Sequence, residues 1–435
     1  MHARTVPPHP ALNPGVRRRE VLGWALYDFA NSGYTTVVLT AVFSAYFVGG
    51  VAQGASWATF AWTAALALSS LLAMLTLPAL GAWADLRGAK KPLLAISTAA
   101  CVLATAALAW VGPGDVALAL GLVLVSNLFY AWGEALIAAF LPELARPASY
   151  GKVSGWGWSF GYCGGMLTLG LSLAYVLSAQ ARGEPAARFV PVTMLITAGI
   201  FALASLGTFA LLRERAQPQA TSHLGLQGAF ARLRHTWQEA RRFADFRWLL
   251  ACTVAYQAGV AVVVALAAVY AEQVLGFKQA QTMMLVFLVN IASMLGALAW
   301  GHVQDRIGHR LALGVTLVGW IAMTVLAALA QGPGLFWAAA VLAGLCMGSS
   351  QSAGRAIAGL LAPAARRAEF FALWGFAVRL AAILGPLTYG LVTLLAGGNH
   401  RLAIVSTGLF FVVGLLLLRP LNLARGQAAA LRPEG

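Results

Sequence analysis

The sequence predicts an all-α integral membrane protein with twelve transmembrane helices in two six-helix, pseudo-symmetric bundles. Three observations carry this. Of its 435 residues 60% are apolar and only 10% charged, whereas charged residues make up about a quarter of a water-soluble domain. The apolar residues gather in twelve runs close to the ~20 residues that cross a bilayer. One pattern also occurs twice, 220 positions apart: Gly81, Asp85, Gly88 and Lys90 in GAWADLRGAK, then Gly301, Asp305, Gly308 and Arg310 in GHVQDRIGHR. Gly112-Pro113-Gly114 recurs as Gly332-Pro333-Gly334 at the same offset, so the chain reads as a duplicated membrane unit.

Residues 1–20 are Pro-rich, end in Arg17-Arg18-Arg19, and are expected to form a disordered cytoplasmic tail. Six spans follow near 21–49, 57–80, 92–111, 115–139, 152–178 and 189–212, making an N-terminal bundle over 21–212. The first is too long for a cleavable signal and lacks a small-residue cleavage site. The connection 213–247 separates the halves. In it Leu226, Phe230, Leu233 and Trp237 recur at helical spacing, with Arg232, Arg234, Arg241 and Arg242 on other faces. This is the pattern of an amphipathic helix on a membrane surface; a solvated tether is the alternative. A second set near 248–271, 279–300, 311–331, 334–358, 369–396 and 400–418 makes the C-terminal bundle over 248–419. Residues 420–435 are a cytoplasmic C-terminal tail.

Basic residues set the orientation. With the N-terminus inside, 23 of the 29 Lys and Arg fall on the cytoplasmic side; Arg182, Arg188, Lys278 and Arg401 fall opposite. Both termini are therefore expected in the cytoplasm. The net charge of +15 reflects this bias and contact with anionic lipid. No basic soluble module is present to bind nucleic acid. The four cysteines lie inside apolar runs and read as small core residues. All seven histidines lie in tails or connections, so no His-built metal site, His proton relay or cofactor is expected in the spans. That absence also speaks against a membrane-embedded enzyme.

The doubled G-x-x-x-D-x-x-G-x-(K/R) pattern resembles the loop signature of the major facilitator superfamily. Within it, Trp24-Ala-Leu-Tyr27-Asp28-Phe-Ala-Asn31-Ser32 is similar to the first-span signature of the vacuole-effluxer-like branch, related to autophagy-associated vacuolar permeases. Phe140-Leu-Pro142-Glu143, Ser154-Gly-Trp-Gly157-Trp-Ser-Phe-Gly161-Tyr162, Gln351-Ser-Ala-Gly-Arg355, Glu369-Phe370-Phe371 and Gly385-Pro386 agree with it. The resemblance spans Gly23 to about Arg419 and implies secondary transport of a small solute, with eukaryotic relatives linked to amino-acid efflux. One departure stands out. Gly161-Tyr-Cys-Gly164-Gly165 lacks the proline of the G-P-x-x-G-G element of proton-driven drug exporters and is one residue shorter.

In the repeated pattern the glycines permit a sharp turn and close approach. The aspartate can accept hydrogen bonds from a neighbouring helix N-terminus, where positive charge gathers. The resemblance implies that Asp85 and Asp305, with Arg87, Lys90 and Arg310, latch the cytoplasmic gate; topology control alone is the plainer role of the bases.

Four ionisable residues fall within spans: Asp28, Glu134, Arg355 and Arg379. Each costs about 2.5–3.5 kcal/mol at a span centre, so such groups face a cavity or a partner. Tyr27, Asn31 and Tyr34 follow at i, i+4 and i+7 with Asp28 and Thr35 beside them, a polar stripe on span one. The superfamily implies that spans one, four, seven and ten line the central path. Asp28 would then bind an amine or carry a proton; a structural acid is the alternative. Span four offers Asn127, Tyr130 and Glu134. The repeat places Glu134 on Arg355, Tyr130 on Gln351 and Trp158 on Arg379. Glu134 and Arg355 could pair across the path in one state, or each could join its own loop latch, with Arg87 and Asp305. Arg379, near mid-span, wants a carboxylate, either a substrate's or that of Asp28.

The expected function is secondary active transport of a small solute, amino acids among the candidates, by alternating access and with protons as possible co-substrate. An exporter of hydrophobic or cationic compounds is the alternative, a membrane enzyme or receptor the outlier. No ATP-binding G-x-x-x-x-G-K-(S/T) loop is present. No catalytic or metal-binding residues and no cofactor are expected, and the partners are solute, lipid and protons. The chain is expected to act as a monomer in a bacterial cytoplasmic membrane.

Overall fold

The computed structural model describes residues 10–55, 57–218, 243–277, 279–397 and 399–432. Among them, twelve helical spans are long and apolar enough to cross a membrane, and the β pairing is a single Leu12–Ala145 bridge. They are α1 (Arg18–Val51), α2 (Ala58–Arg87), α3 (Lys90–Ala107), α4 (Val116–Ala138), α5 (Tyr150–Ala181) and α6 (Ala186–Leu211) in the first half. The second half holds α7 (Ala244–Leu275), α8 (Gln279–Ile307), α9 (His309–Leu329), α10 (Pro333–Leu361), α11 (Arg367–Leu395) and α12 (His400–Leu418). A short α13 (Leu423–Leu431) follows. The amphipathic stretch of Leu226, Phe230, Leu233 and Trp237 lies outside the described residues.

Within the halves α1 packs on α5 and α6, and α7 packs on α11 and α12. Between them α2 crosses α11 and α5 crosses α8. Exchanging α2 with α8 and α5 with α11 maps one crossing onto the other, so the 220-residue sequence repeat is a two-fold relation in space. Both repeated loops, the α4–α5 and α10–α11 turns and the two described termini share one end of the bundle, called here the motif face.

Hydropathy ends the second and eighth spans near 80 and 300, but the helices run on to Arg87 and Ile307. Asp85 and Asp305 therefore sit in final helical turns rather than in loops. Gly88 (φ 59°) and Gly308 (φ 89°) then break the helices in the left-handed region. Apolar runs report the hydrocarbon slab, whereas a helix continues until its backbone is turned.

The tails also differ from expectation. Residues 10–17 are not free: Ala11 and Leu12 are buried, Asn13 Nδ2 donates to the Pro142 and Glu143 carbonyls (both 3.0 Å), and Arg146 Nε donates to Leu12 O at 2.8 Å. The α4–α5 turn leaves backbone groups open, and the extended segment satisfies them. Beyond α12, Arg425 grips Asp245 with two hydrogen bonds of 2.7 Å, tying α13 to the start of α7.

Span one is not a uniform α-helix. Over Tyr34–Ala41 and Phe47–Val51 its backbone bonds run i→i+5. Thr35 and Thr36 hydroxyls bond the Ser32 carbonyl, and Thr40 bonds the Thr35 carbonyl. Hydroxyl side chains that compete for carbonyls loosen the helical ladder, and such wide turns recur at functional sites.

Candidate functional site

The two halves meet at the motif face through matched contacts. Asp85 accepts from Ala368 N (3.1 Å) and Glu369 N (2.9 Å) in the first turn of α11. Asp305 accepts from Gly151 N and Lys152 N, both at 2.9 Å, in the first turn of α5. Each carboxylate thus sits on a helix N-terminus of the opposite half, where the dipole favours negative charge. Gly81 and Gly301 let the backbones close: a side chain on Gly301 would meet Gly151 O at 2.8 Å.

The basic residues of the motif serve other partners. Lys90 is buried in an ion pair with Glu143 and lies over the Phe140 ring at 5.1 Å. Arg87 covers Trp83 at 5.5 Å, and Arg310 donates to the Arg419 carbonyl at 2.6 Å. Glu214, just after α6, accepts from Lys90 N (2.7 Å) and Lys91 N (3.0 Å). Partial burial pushes its carboxyl up from the ordinary glutamate range, against the pull of those two N–H groups. Arg215 reaches Glu20 at 2.7 Å.

Above this closed floor lies a cavity of about 850 Å³. Its floor and one wall are polar: Asp28, Asn31, Ser32, Thr35, Tyr130, Glu134, Gln351, Arg355 and Arg379. Val263, Val289, Met323, Ala343, Met347 and Ile404 of the second half add an apolar wall, interrupted by Asn290 and Ser293. It extends past Tyr270 and Phe336, towards the end opposite the motif face.

The charges pair differently from the sequence expectations. Arg355 Nη1 donates to Asp28 Oδ2 at 2.6 Å, a buried bridge between α10 and α1. It joins neither Glu134 nor Asp305. Glu134 instead accepts from Asn31 Nδ2 at 2.7 Å, not from Arg87. Arg379 does not reach Asp28; its guanidinium stands 5.5 Å from the Tyr130 ring and faces the cavity.

Two expected path residues turn elsewhere. Tyr34 is buried, with its hydroxyl 2.8 Å from Ser126 Oγ, and Asn127 Nδ2 donates to Ser69 Oγ at 2.5 Å. Neither lines the cavity. Tyr27 likewise points at Thr98 (3.1 Å). The cavity stripe of α1 is Asp28, Asn31, Ser32 and Thr35, about one residue round the helix from the i, i+4, i+7 reading. Gln351 lines the cavity and accepts from Gln257 at 2.8 Å.

Sequence reading missed Trp24 as a site residue and gave Trp158 no role. Their rings lie 5.2 and 4.8 Å from the Arg355 guanidinium. The four-residue spacing of Trp24 and Asp28, which puts both on one helix face, was the available signal. Among the described residues no group of three or more His, Cys, Asp or Glu is placed to hold a metal.

Comparison with known proteins fits this architecture. The family described as "Vacuole effluxer Atg22 like" matches residues 44–431. An uncharacterized MFS-type transporter, YxiO of Bacillus subtilis (strain 168), is 27% identical over 402 residues, covering 91% of this chain and 93% of its own. Autophagy-related protein 22-1 of Neosartorya fischeri is 24% identical over 316 residues; the match covers 65% of this chain and about half (51%) of that longer protein. Among solved structures, the human organic anion transporter MFSD10 superposes with a TM-score of 0.72 at 16% identity, over 92% of this chain and 99% of that one. The E. coli fucose:proton symporter FucP does so with 0.70 at 14% identity, over 93% and 98%. These two share the fold. The doubled aspartate motif, the twelve-span architecture with its central cavity, and a family match along most of its length make the chain a multi-pass membrane transporter of the major facilitator type, not an enzyme, and a member of the vacuole effluxer Atg22-like family.

Proposed function

We propose that the protein is a secondary active transporter of a small zwitterionic solute, an amino acid or close relative, working by rocking its halves about the central cavity. The observation that carries this is Arg379. A guanidinium within the membrane calls for a carboxylate, yet Arg379 makes no ion pair among the described residues and faces the cavity. A solute carboxylate would supply the missing charge, and Glu134, on the same cavity, an acid for its ammonium group. The apolar wall accommodates a side chain. An exporter of hydrophobic cations is favoured less, because Asp28 is paired with Arg355 while Arg379 has no carboxylate partner among the described residues.

Protonation of Asp28 would weaken its hold on Arg355 and so loosen the floor. This makes Asp28 the first proposed proton carrier, with Glu134 second. Asp85 and Asp305 are the proposed gate latches, and the charge bias supports a cytoplasmic motif face. The chain is proposed to work as a monomer in a bacterial cytoplasmic membrane.

The test is uptake into proteoliposomes of labelled amino acids and cationic dyes, with and without a pH gradient. Arg379→Gln is expected to raise KM for a carboxylate solute by about tenfold or more and to leave dye transport unchanged. Unaltered affinity for the anionic solute in that variant would exclude the carboxylate assignment.

A further inference from the structure

Arg355 belongs to the second half, yet every group that holds it belongs to the first. Its guanidinium lies near the indole rings of Trp24 and Trp158, 5.2 and 4.8 Å from their centres, and donates to Asp28 at 2.6 Å. Trp24 is itself fixed, donating from Nε1 to the Ile137 carbonyl at 2.8 Å. Gly157 leaves the room: a side chain there would sit 2.6 Å from the Trp24 ring and 2.7 Å from Asp28 Oδ2. Two indole faces and one carboxylate make a preformed receptor for an organic cation, since ring faces attract positive charge and the carboxylate supplies its counter-charge. Asp28, Trp158 and Arg355 all line the central cavity, so the receptor opens onto the transport path.

We propose that this socket is a state-dependent cation subsite: Arg355 fills it while the motif face is closed, and the ammonium or guanidinium group of a solute takes it when the halves rock and Arg355 withdraws. The inference rests on the transport reading above, because only rocking halves would carry a residue of one out of a socket in the other. Arg355 then acts as an internal competitor. A solute cation entering from the motif face stabilises the open floor by occupying the place that Arg355 must regain to close it. A cation-free solute of the same size gains nothing there.

The socket can be emptied without any transport step. In purified Arg355→Ala, millimolar methylguanidinium and ethylammonium are expected to raise the unfolding temperature saturably, on the order of 2 °C near tenfold saturation, with n-propanol as the neutral control. The wild-type chain, its socket filled, should show half-saturation at concentrations about tenfold higher or none at all. Adding Asp28→Asn to Arg355→Ala should weaken binding by about tenfold or more, and adding Trp158→Leu should weaken it further. Arg355→Met, closer in volume, serves if Arg355→Ala does not fold. Equal shifts in the wild type and the emptied variant, or shifts that survive loss of Asp28, overturn the proposal. Because this readout involves neither Arg379 nor uptake, its failure would leave the carboxylate reading standing, and failure of that reading would leave the socket.

Discussion

Asp85 and Asp305 stand 220 positions apart in sequence and occupy equivalent places in space, each accepting two backbone N–H bonds from the first turn of a helix in the opposite half. Between them they hold the motif-face ends of the α2–α11 and α5–α8 crossings. Hydrogen bonds to a charged group contribute about 1.5–3 kcal/mol each, enough, under the proposed rocking of the halves, to set which face is shut.

Neutralising either latch should therefore open the motif face. Asp85→Asn and Asp305→Asn are each expected to shift the open-to-closed ratio by roughly tenfold or more. Thiol labelling of Ser352→Cys reports it, because Ser352 is buried in the closed floor beside Gln304 and Gly151. If labelling of both variants matched the parent rate, the aspartates would be no more than helix caps.

Removing one member of the Asp28–Arg355 pair leaves a buried charge alone, at a cost of about 3–5 kcal/mol. Asp28→Asn and Arg355→Gln should each lower thermal stability sharply, and the double variant should lose less than the sum. A double-mutant cycle on the detergent-purified protein measures the difference. Strict additivity would mean that the two side chains do not interact in the folded state.

Lys90 and Arg425 are both in ion pairs and should behave differently. Lys90 and Glu143 are both nearly inaccessible, so Lys90→Met should cost about 3–5 kcal/mol, and the further change Glu143→Leu should recover part of it. The Arg425 side chain is 60% exposed while that of Asp245 is 4% exposed, and Asp245 keeps the Asn422 N–H bond of 2.8 Å when Arg425 is lost. Arg425→Ala is accordingly expected to lower the unfolding temperature less than Lys90→Met, and the Lys90 effect to persist in high salt.

Glu214 supplies a pH dependence with a definite sign. Burial raises its folded-state value above that of the unfolded chain, so protonation favours the fold. The associated stability is present below the ordinary glutamate value and is lost as pH rises through the raised one. Relative to Glu214→Gln, the parent protein should lose unfolding temperature between about pH 4.3 and neutrality. A difference that grows with pH in the other direction would show that the Lys90 and Lys91 N–H bonds outweigh burial.

How much of this was legible in the sequence varies from residue to residue. The spans, the repeat and the two aspartates are all visible there, because hydropathy and a fixed offset are properties of the chain itself. The extension of α2 and α8 past the slab was hidden, since nothing in an apolar run marks where a helix continues into the headgroup region. Tyr34 and Asn127 were assigned to the path by counting residues along an ideal helix. Tyr27 and Tyr34 do share one face of α1, but that face turns away from the cavity, towards Thr98 and Ser126, and Asn127 of α4 turns to Ser69.

By itself the sequence determined a duplicated, twelve-span membrane protein with charges buried in its spans, because partitioning into lipid is local and additive along the chain. Which charge meets which was decided only by the tertiary structure. Arg355 lies 327 residues from Asp28 and within the same half as Asp305, and no spacing rule selects the distant partner. Packing of α10 against α5 does, because a guanidinium taken out of water settles where a carboxylate and two ring faces converge.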